Sequence, residues 1–552
     1  MKLSDYIVKF LEDKTTAVFI LSGGGIMHIV DSFGKSKKLD IICNHHEQAC
    51  AIAAEGYARI KNDIGVVCVT TGPGGTNAIT GVAGAWLDSI PMLVISGQVK
   101  TDNITPRKDG KPMVRAIGLQ ELNVIDLVKP ITKYAVTVNK KENIKYELEK
   151  AVYLAKSERP GPVWVEIPLD IQAQEIEPKK LKSFKILQKF KFGIPVNKVL
   201  EEFRKAKRPL LMVGNGIRLA GAVDLVNAWI KKTGINVVSS IYTADDIIPS
   251  DLPNYLGRQG MTGNETANWA IDNCDLLLVI GERLQLTQTS YEYKDFATQA
   301  RIIMVDIDKN EMHKKTVSID LPIHCDARIF LKILKKEKII LNEWIIPRKK
   351  INYSDYDSKK DFVNPYRVME KLGKLSQRQT VATADGMASL IPHQSFKIKK
   401  GQRFITNAGL GNMGSGLPLA IGASIAENKS EVVCTEGDGS LMLNIQELET
   451  IRYNKLPIKL FIFNNGGYHS IRNTHLNYFK KIFAADSTRG LSLPNFENLI
   501  KGWGFKYIAI RNNEELHKLN DVIETKGFVV CELFIDPYQK MIPKWTAGQF
   551  RK

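Results

Sequence analysis

The stretch from Glu431 to Gly467 constrains this chain more than any other. Glu431-Val-Val-Cys-Thr435 has the composition of a buried strand, and Glu436-Gly-Asp-Gly-Ser440 follows with glycines that let the backbone turn tightly. Residues 441–453 then carry apolar side chains at helical spacing, at Leu441, Ile445, Leu448 and Ile451. A second apolar strand, Ile458-Lys-Leu-Phe-Ile-Phe463, runs into Asn464 and Asn465. An acid closing one strand and an amide closing the next reach the same point above a parallel sheet, where open α/β sheets take ligands. The donors gathered there are hard oxygens: the Asp438 carboxylate, the Asn465 carboxamide and the carbonyls of the Gly466-Gly467 turn. A small set of protein oxygens with room for phosphate suits Mg²⁺. The free N–H groups of a following helix suit the phosphate itself. Either half alone is equally a plain turn or loop; the two at successive strand ends favour an ion site.

The rest of the chain reads as α/β scaffolding. At 552 residues it exceeds a single core and suits about three domains. Within 1–180, strand-like runs at 17–21, 39–43, 65–70, 91–96 and 162–167 alternate with helical stretches. Near-continuous apolar strands in that alternation predict doubly wound parallel sheets covered on both faces. A lysine-rich linker follows at 179–191, then a second unit at 192–345 with strands near 210–213, 276–280 and 302–306. A charged connector at 348–361 leads to the third unit, 362–552.

The net charge of +18 raises the question of nucleic acid. The lysines cluster at linkers and loop edges, without an arginine-rich helix or a basic stripe interleaved with aromatics, so the surface predicts no nucleic-acid partner. It does suit gathering of small anionic substrates. No apolar run approaches the roughly 20 residues that span a bilayer. The opening Met1-Lys-Leu-Ser-Asp-Tyr6 has no signal-peptide core, so the expectation is a cytoplasmic chain with no membrane partner. Seven cysteines without CxxC spacing read as reduced core residues.

Gly409-Leu-Gly-Asn-Met-Gly414 is a literal G-x-G-x-x-G with acids at Glu436 and Asp438, which keeps an NAD-dependent dehydrogenase in view. Pro418 follows closely, however, and the acid is already committed to the Gly-Asp-Gly-Ser turn. In the first unit Glu47, in Asn44-His-His-Glu-Gln-Ala-Cys50, would by itself be an acid at a helix N-terminus.

Taken together, these stretches resemble the thiamine-diphosphate (ThDP) enzymes, and within them the acetolactate synthases. Gly437-Asp-Gly-Ser440 with Asn464-Asn465 is similar to the family's cofactor signature. His46-Glu47, Ala54-Glu-Gly-Tyr-Ala-Arg59, Thr71-Gly-Pro-Gly-Gly-Thr-Asn77, Ile95-Ser-Gly-Gln-Val99, Arg159-Pro-Gly-Pro-Val163 and residues 409–422 are similar to the acetolactate-synthase branch. The motifs fall in all three units. The resemblance implies pyrimidine-binding, central and diphosphate-binding domains in that order. It implies Mg²⁺ held by Asp438, Asn465 and the Gly467 carbonyl, with Gly72, Pro73, Asn77, Gly411, Met413, Gly437, Gly439, Ser440 and Tyr468 around the cofactor. Met413 matches the bulky residue beneath the bent cofactor, and Glu47 the acid that hydrogen-bonds the pyrimidine N1′. The thiazolium C2–H is a weak acid, and stabilising the ring's imino tautomer places a base beside it. Gln98 and Gln120 match polar residues near the reacting carbon. The family places each cofactor between the first unit of one chain and the third of another, which implies a homo-oligomer, a dimer or tetramer, with inter-subunit sites.

The pattern breaks on the acceptor side. Where acetolactate synthases carry Gly-x-Arg-Phe-Asp-Asp-Arg, this chain reads Gly281-Glu-Arg-Leu-Gln-Leu-Thr287, keeping Arg283 but losing the acids and the arginine that holds an acceptor carboxylate. Thr474, Leu169 and Leu119 replace a tryptophan, a lysine and a phenylalanine. The expectation is therefore a carboligase that decarboxylates a 2-oxo acid, pyruvate being the simplest, and joins the acyl unit to a second carbonyl. The acceptor is a 2-oxo acid, or a nucleotide-linked keto-deoxysugar met by Arg107, Lys108, Lys111 and Arg115 of an insertion. The alternatives are a decarboxylase releasing aldehyde and a non-catalytic ThDP-binding protein. FAD is a possible further cofactor, since Gly214-Asn-Gly216, Gly260-Met-Thr-Gly263, Val305-Asp-Ile-Asp308 and Arg159 match positions near the flavin.

Overall fold

The computed structural model describes residues 1–186, 192–242, 247–349, 351–377 and 379–551. The end of the 179–191 linker and Lys350 of the 348–361 connector lie outside the described residues. The strands of the first sheet are β1 (Ala17–Leu21), β2 (Asp40–Cys43), β3 (Gly65–Val69), β4 (Met92–Gln98), β5 (Tyr134–Thr137) and β6 (Pro162–Pro168). They pair parallel in the order β2-β1-β3-β4-β6-β5. The second sheet holds β7 (Pro209–Val213), β8 (Asn236–Ser240), β9 (Tyr255–Gln259), β10 (Leu276–Ile280), β11 (Arg301–Asp306) and β12 (Leu321–His324), in the order β9-β8-β7-β10-β11-β12. The third holds β13 (Thr380–Thr383), β14 (Phe404–Thr406), β15 (Val432–Gly437), β16 (Ile458–Asn464), β17 (Lys506–Ile510) and β18 (Val529–Phe534), in the order β14-β13-β15-β16-β18-β17. The first and third sheets thus share one topology. The second has the dinucleotide-binding order, whose ligand crevice opens between β7 and β10.

Each of these three sheets is largely apolar on both faces, as covered parallel sheets are. One continuous core fills the space between the first and third sheets, running from Phe19 and Trp164 to Leu417, Val432 and Ile458. At its centre α1 (Glu47–Lys61) packs on α2 (Pro73–Leu87) and on α3 (Gly416–Ala426). Eleven residues of α1 and all of α3 are buried, which explains why both are built of alanine, glycine and other small residues rather than an amphipathic stripe. A Cβ on Gly422 would overlap the Ala53 carbonyl, and one on Gly56 the Leu419 carbonyl. Backbone cannot step aside there. Gly422→Ala is therefore expected to cost about 1–3 kcal/mol or more by overpacking, read as a lowered Tm or loss of soluble protein.

Two expectations need correction. The helical spacing over 441–453 does not give one helix: a short turn at Asp438–Leu441 breaks before α4 (Glu447–Asn454). The intervening residues bulge to receive the 411–414 loop, with Asn444 Nδ2 donating to the Gly414 carbonyl at 2.7 Å. The end of the chain also leaves the third unit. Asp272 of the middle unit accepts from Trp545 Nε1 at 3.0 Å and from the Gly548 amide at 2.9 Å. All seven cysteines are free and only Cys43 is exposed. Among the described residues no helix is long and apolar enough to cross a membrane.

Candidate active site

The two strands that carry the candidate ion ligands are neighbours. β15 and β16 run parallel with Gly437 opposite Phe463, so Asp438 and Asn465 leave the sheet side by side. Asp438 Oδ1 accepts from Gly439 N at 2.7 Å, and Oδ2 from Asn465 N at 3.1 Å and Gly467 N at 2.9 Å. The carboxylate is 1 % exposed. Burial pushes its pKa up to about 6 even against these backbone donors, and a divalent ion at this point would offset the lost hydration. The donor set therefore fits Mg²⁺. Beside it, burial raises Glu436 to about 7; its Oε1 accepts from Leu417 N at 2.9 Å at the start of α3.

The 411–414 loop is pinned to the same place. Gly414 N donates to Ser440 Oγ at 2.8 Å, which ties the loop carrying Gly411 and the half-buried Met413 to the Gly437–Ser440 turn. Gly439 admits the Tyr468 ring, which a Cβ there would strike. Gly467, at φ +140°, lies where a Cβ would meet the Ala485 carbonyl. Sequence reasoning passed over Asp385 and Gly386. They close β13 at the point where the strand order reverses, and Asp385 Oδ1 lies 3.6 Å from a Cβ placed on Gly411. The signal was present in the acid and glycine that follow the β-branched run Thr380-Val-Ala-Thr383.

The other half is built on α1 and α2. Glu47 is the first residue of α1, 5 % exposed, and its Oε2 accepts from Asn77 Nδ2 at 3.0 Å. Oε1 has no hydrogen-bond partner among the described residues. Gly72, at φ +61°, caps α2 with Pro73 at its first position, and the Gln120 carbonyl packs against it. The buried Thr71 Oγ1 and Asn412 Oδ1 also lack partners among the described residues, one in each half. Within one chain the Glu47 loop faces α4: Asn44 Nδ2 and His45 N donate to Glu447 at 2.8 and 2.9 Å.

Gln98 is buried. Its Nε2 donates to the Leu122 carbonyl at 2.8 Å and to Glu166 at 3.2 Å, and its Oε1 accepts from Val99 N at 2.9 Å. Both Nε2 protons are engaged, one of them on the Leu122 carbonyl of the 119–122 loop. Gln120, on that loop, is exposed. Arg159 lies in the middle unit's crevice, where it donates to Asp308 and Glu311 at 2.9 and 2.8 Å. This crevice, about 610 Å³, opens at the carboxyl ends of β7, β10 and β11. Its lining includes Asn215, Arg283, Asp306 and Asp326, but neither Glu47 nor Asp438.

Two like α/β sheets, one ending in an oxygen-rich turn and the other presenting a buried glutamate, are the frame of an enzyme that holds a phosphorylated heterocyclic cofactor. The chain matches the thiamine pyrophosphate enzyme N-terminal TPP binding domain over residues 1–122, the central domain over 196–334 and the C-terminal TPP binding domain over 385–533. It is 34 % identical to the acetolactate synthase large subunit of Buchnera aphidicola from Schizaphis graminum, across 96 % of this chain and 94 % of the relative. It is 30 % identical to the acetolactate synthase isozyme 3 large subunit of Escherichia coli K12, across 99 % and 96 %. Acetolactate synthase 1, chloroplastic, of Zea mays is 30 % identical across 99 % and 87 %. The chain belongs to the acetolactate-synthase-like family of ThDP-dependent enzymes.

Proposed function

We propose that this enzyme removes the carboxylate of a 2-oxo acid, pyruvate first among them, and joins the remaining acyl unit to a second carbonyl, releasing CO₂. The observation that carries the reading is the meeting of Asp438, Asn465 and Gly467 at the ends of β15 and β16. Bound ThDP supplies a carbon acid able to take up the acyl group and stabilise the charge left by decarboxylation. The chain's part is to hold and to tune. Asp438, the Asn465 carboxamide and the Gly467 carbonyl hold Mg²⁺ against the diphosphate. Glu47, steadied through Oε2 by Asn77, presents Oε1 to the pyrimidine N1′. Met413 supports the bend of the cofactor.

The site is completed by a second copy. Leu119 is 90 % exposed on the Glu47 half, and Met442 and Leu443 are exposed on the Asp438 half. Large apolar side chains beside each half-site favour burial against a partner. Light scattering on the purified protein should give a dimer or larger; a monomer active at the same concentration overturns this.

The relatives' names favour a second 2-oxo acid as acceptor. A keto-sugar nucleotide remains a second reading because Arg283, the cation kept in the altered 281–287 stretch, is spent on the Leu87 carbonyl at 2.7 Å. Of the insertion's four cations Arg107 is paired with Asp126 at 2.7 Å, while Lys108, Lys111 and Arg115 stand exposed, free for a diphosphate. Labelled pyruvate, with and without each acceptor, followed by mass spectrometry decides between them. Acetolactate, a branched sugar and acetaldehyde are distinct products, and no CO₂ release with ThDP and Mg²⁺ overturns the whole reading. For the crevice of the middle unit we propose a flavin nucleotide, with Asp306 and Asp326 suited to ribose and base. A purified protein without flavin absorbance overturns that assignment alone.

A further inference from the structure

Arg472 is 1 % exposed, an unusual place for a guanidinium. It sits in the first turns of α5 (His469–Phe479), directly after the 464–467 turn. Nη2 donates to the Gly466 carbonyl at 3.1 Å, Nη1 to the Pro537 carbonyl at 2.8 Å, and Nε to Asp486 Oδ2 at 3.2 Å. Nη1 also lies 3.4 Å from Asn465 Oδ1. Asp486 is itself fixed, its Oδ1 accepting from Thr488 N at 3.1 Å and Thr488 Oγ1 at 2.6 Å. Its backbone bridges Gly467, and Tyr468 N donates to the Ala485 carbonyl at 2.8 Å. The turn is thus gripped from one side by the helix and from the other by the 485–488 loop.

We propose that Arg472, paired with Asp486, is the positioning residue of the ion turn, an inference that rests on the Mg²⁺–ThDP reading above. A guanidinium only donates, so the amide of Asn465 must turn its oxygen and not its NH₂ toward Arg472. That oxygen keeps a second lone pair for a cation. The Nη2 bond to the Gly466 carbonyl fixes the peptide between Gly466 and Gly467 and hence the direction of the next carbonyl. A bare positive charge this close would repel Mg²⁺; Asp486 pairs with it and removes most of that opposition. Lysine has no fork and cannot hold both oxygens. The blander alternative is a buried cross-link that serves only stability, and the two differ in what a variant loses.

The test is Mn²⁺ binding followed by electron paramagnetic resonance, on full-length protein with ThDP, for wild type, Arg472→Met, Arg472→Lys and Asp486→Asn. Loss of a partner that orients a metal ligand weakens binding about 10–100-fold. Arg472→Met should fall in that range, with Arg472→Lys and Asp486→Asn between it and wild type. Excess Mn²⁺ should restore ThDP retention in all three. Folded variants that bind Mn²⁺ within twofold of a tightly binding wild type overturn the inference alone. If Arg472→Met fails to fold, the other two variants decide the question by the same measurement. A wild type that binds no Mn²⁺ with ThDP removes the cofactor reading and the inference together.

Discussion

Glu47→Gln should lower the rate of CO₂ release from pyruvate by about 10²–10⁴-fold, the usual worth of a positioned acid–base group. The substitution keeps volume and shape. A glutamine oxygen still accepts from Asn77 Nδ2, and the first position of α1 tolerates an amide. What disappears is the oxygen that exchanges a proton with the pyrimidine ring, the oxygen left without a partner in the single chain. ThDP affinity should therefore stay within a few-fold of wild type, because the diphosphate is held from the other half of the site. The pair of measurements is CO₂ evolution under saturating cofactor and ThDP binding by quenching of tryptophan fluorescence. A variant keeping a tenth or more of the rate would remove Glu47 from the chemistry. A variant that no longer binds ThDP would make it a binding residue instead.

The parts of this molecule that were readable from sequence are those whose cause is local. β15, its Gly-Asp-Gly turn and β16 could be read because a parallel strand between two covered faces is apolar over most of its length, and Val432 to Cys434 and Leu460 to Phe463 are. The edge strand β5 was not read, because Tyr134–Thr137 is only half-buried and carries no such run. The break after Leu441 was invisible for another reason. The apolar spacing is genuine, but a loop from thirty residues upstream wedges in at Asn444, and helical periodicity knows nothing of that contact. Gln98 shows the same limit in the site itself. Its neighbours in sequence say nothing of Leu122 and Glu166, distant along the chain, which take its amide. Arg472 went unremarked because a lone arginine in a polar helix reads as solvated. Only burial beside Gly466 and Asp486 gives it a role.

Asp438→Asn should abolish the rise in Tm that Mg²⁺ and ThDP give the wild type. A ligand at 100 times its Kd stabilises the native state by about 2.7 kcal/mol, so the wild-type rise is measurable. The asparagine removes the one charged ligand, and the expected loss of ion affinity is about 100-fold or more. It also turns an NH₂ either toward the Gly439 amide or toward those of Asn465 and Gly467, where an acceptor is needed, and leaves a buried donor unpaired at a cost of about 1–3 kcal/mol. The pH dependence separates these two effects. In the metal-free fold the Asp438 carboxyl has its pKa raised by burial from 3.8 to about 6. The folded state then binds more protons than the unfolded chain between those values, so this group's contribution to stability is fully present below about pH 4 and is lost as pH rises through 6. Mg²⁺ competes with that proton, so ion affinity should fall as pH drops through 6. In Asp438→Asn both slopes vanish at this site, whatever the constant cost of the unpaired donor. Calorimetry of wild type and variant at pH 5 and pH 7.5, each with and without Mg²⁺ and ThDP, reads all four terms. If the ion stabilises the variant as strongly as the wild type at pH 7.5, Asp438 is not its ligand. The diphosphate must then be held by the helix N-termini and the Gly411–Met413 loop without it.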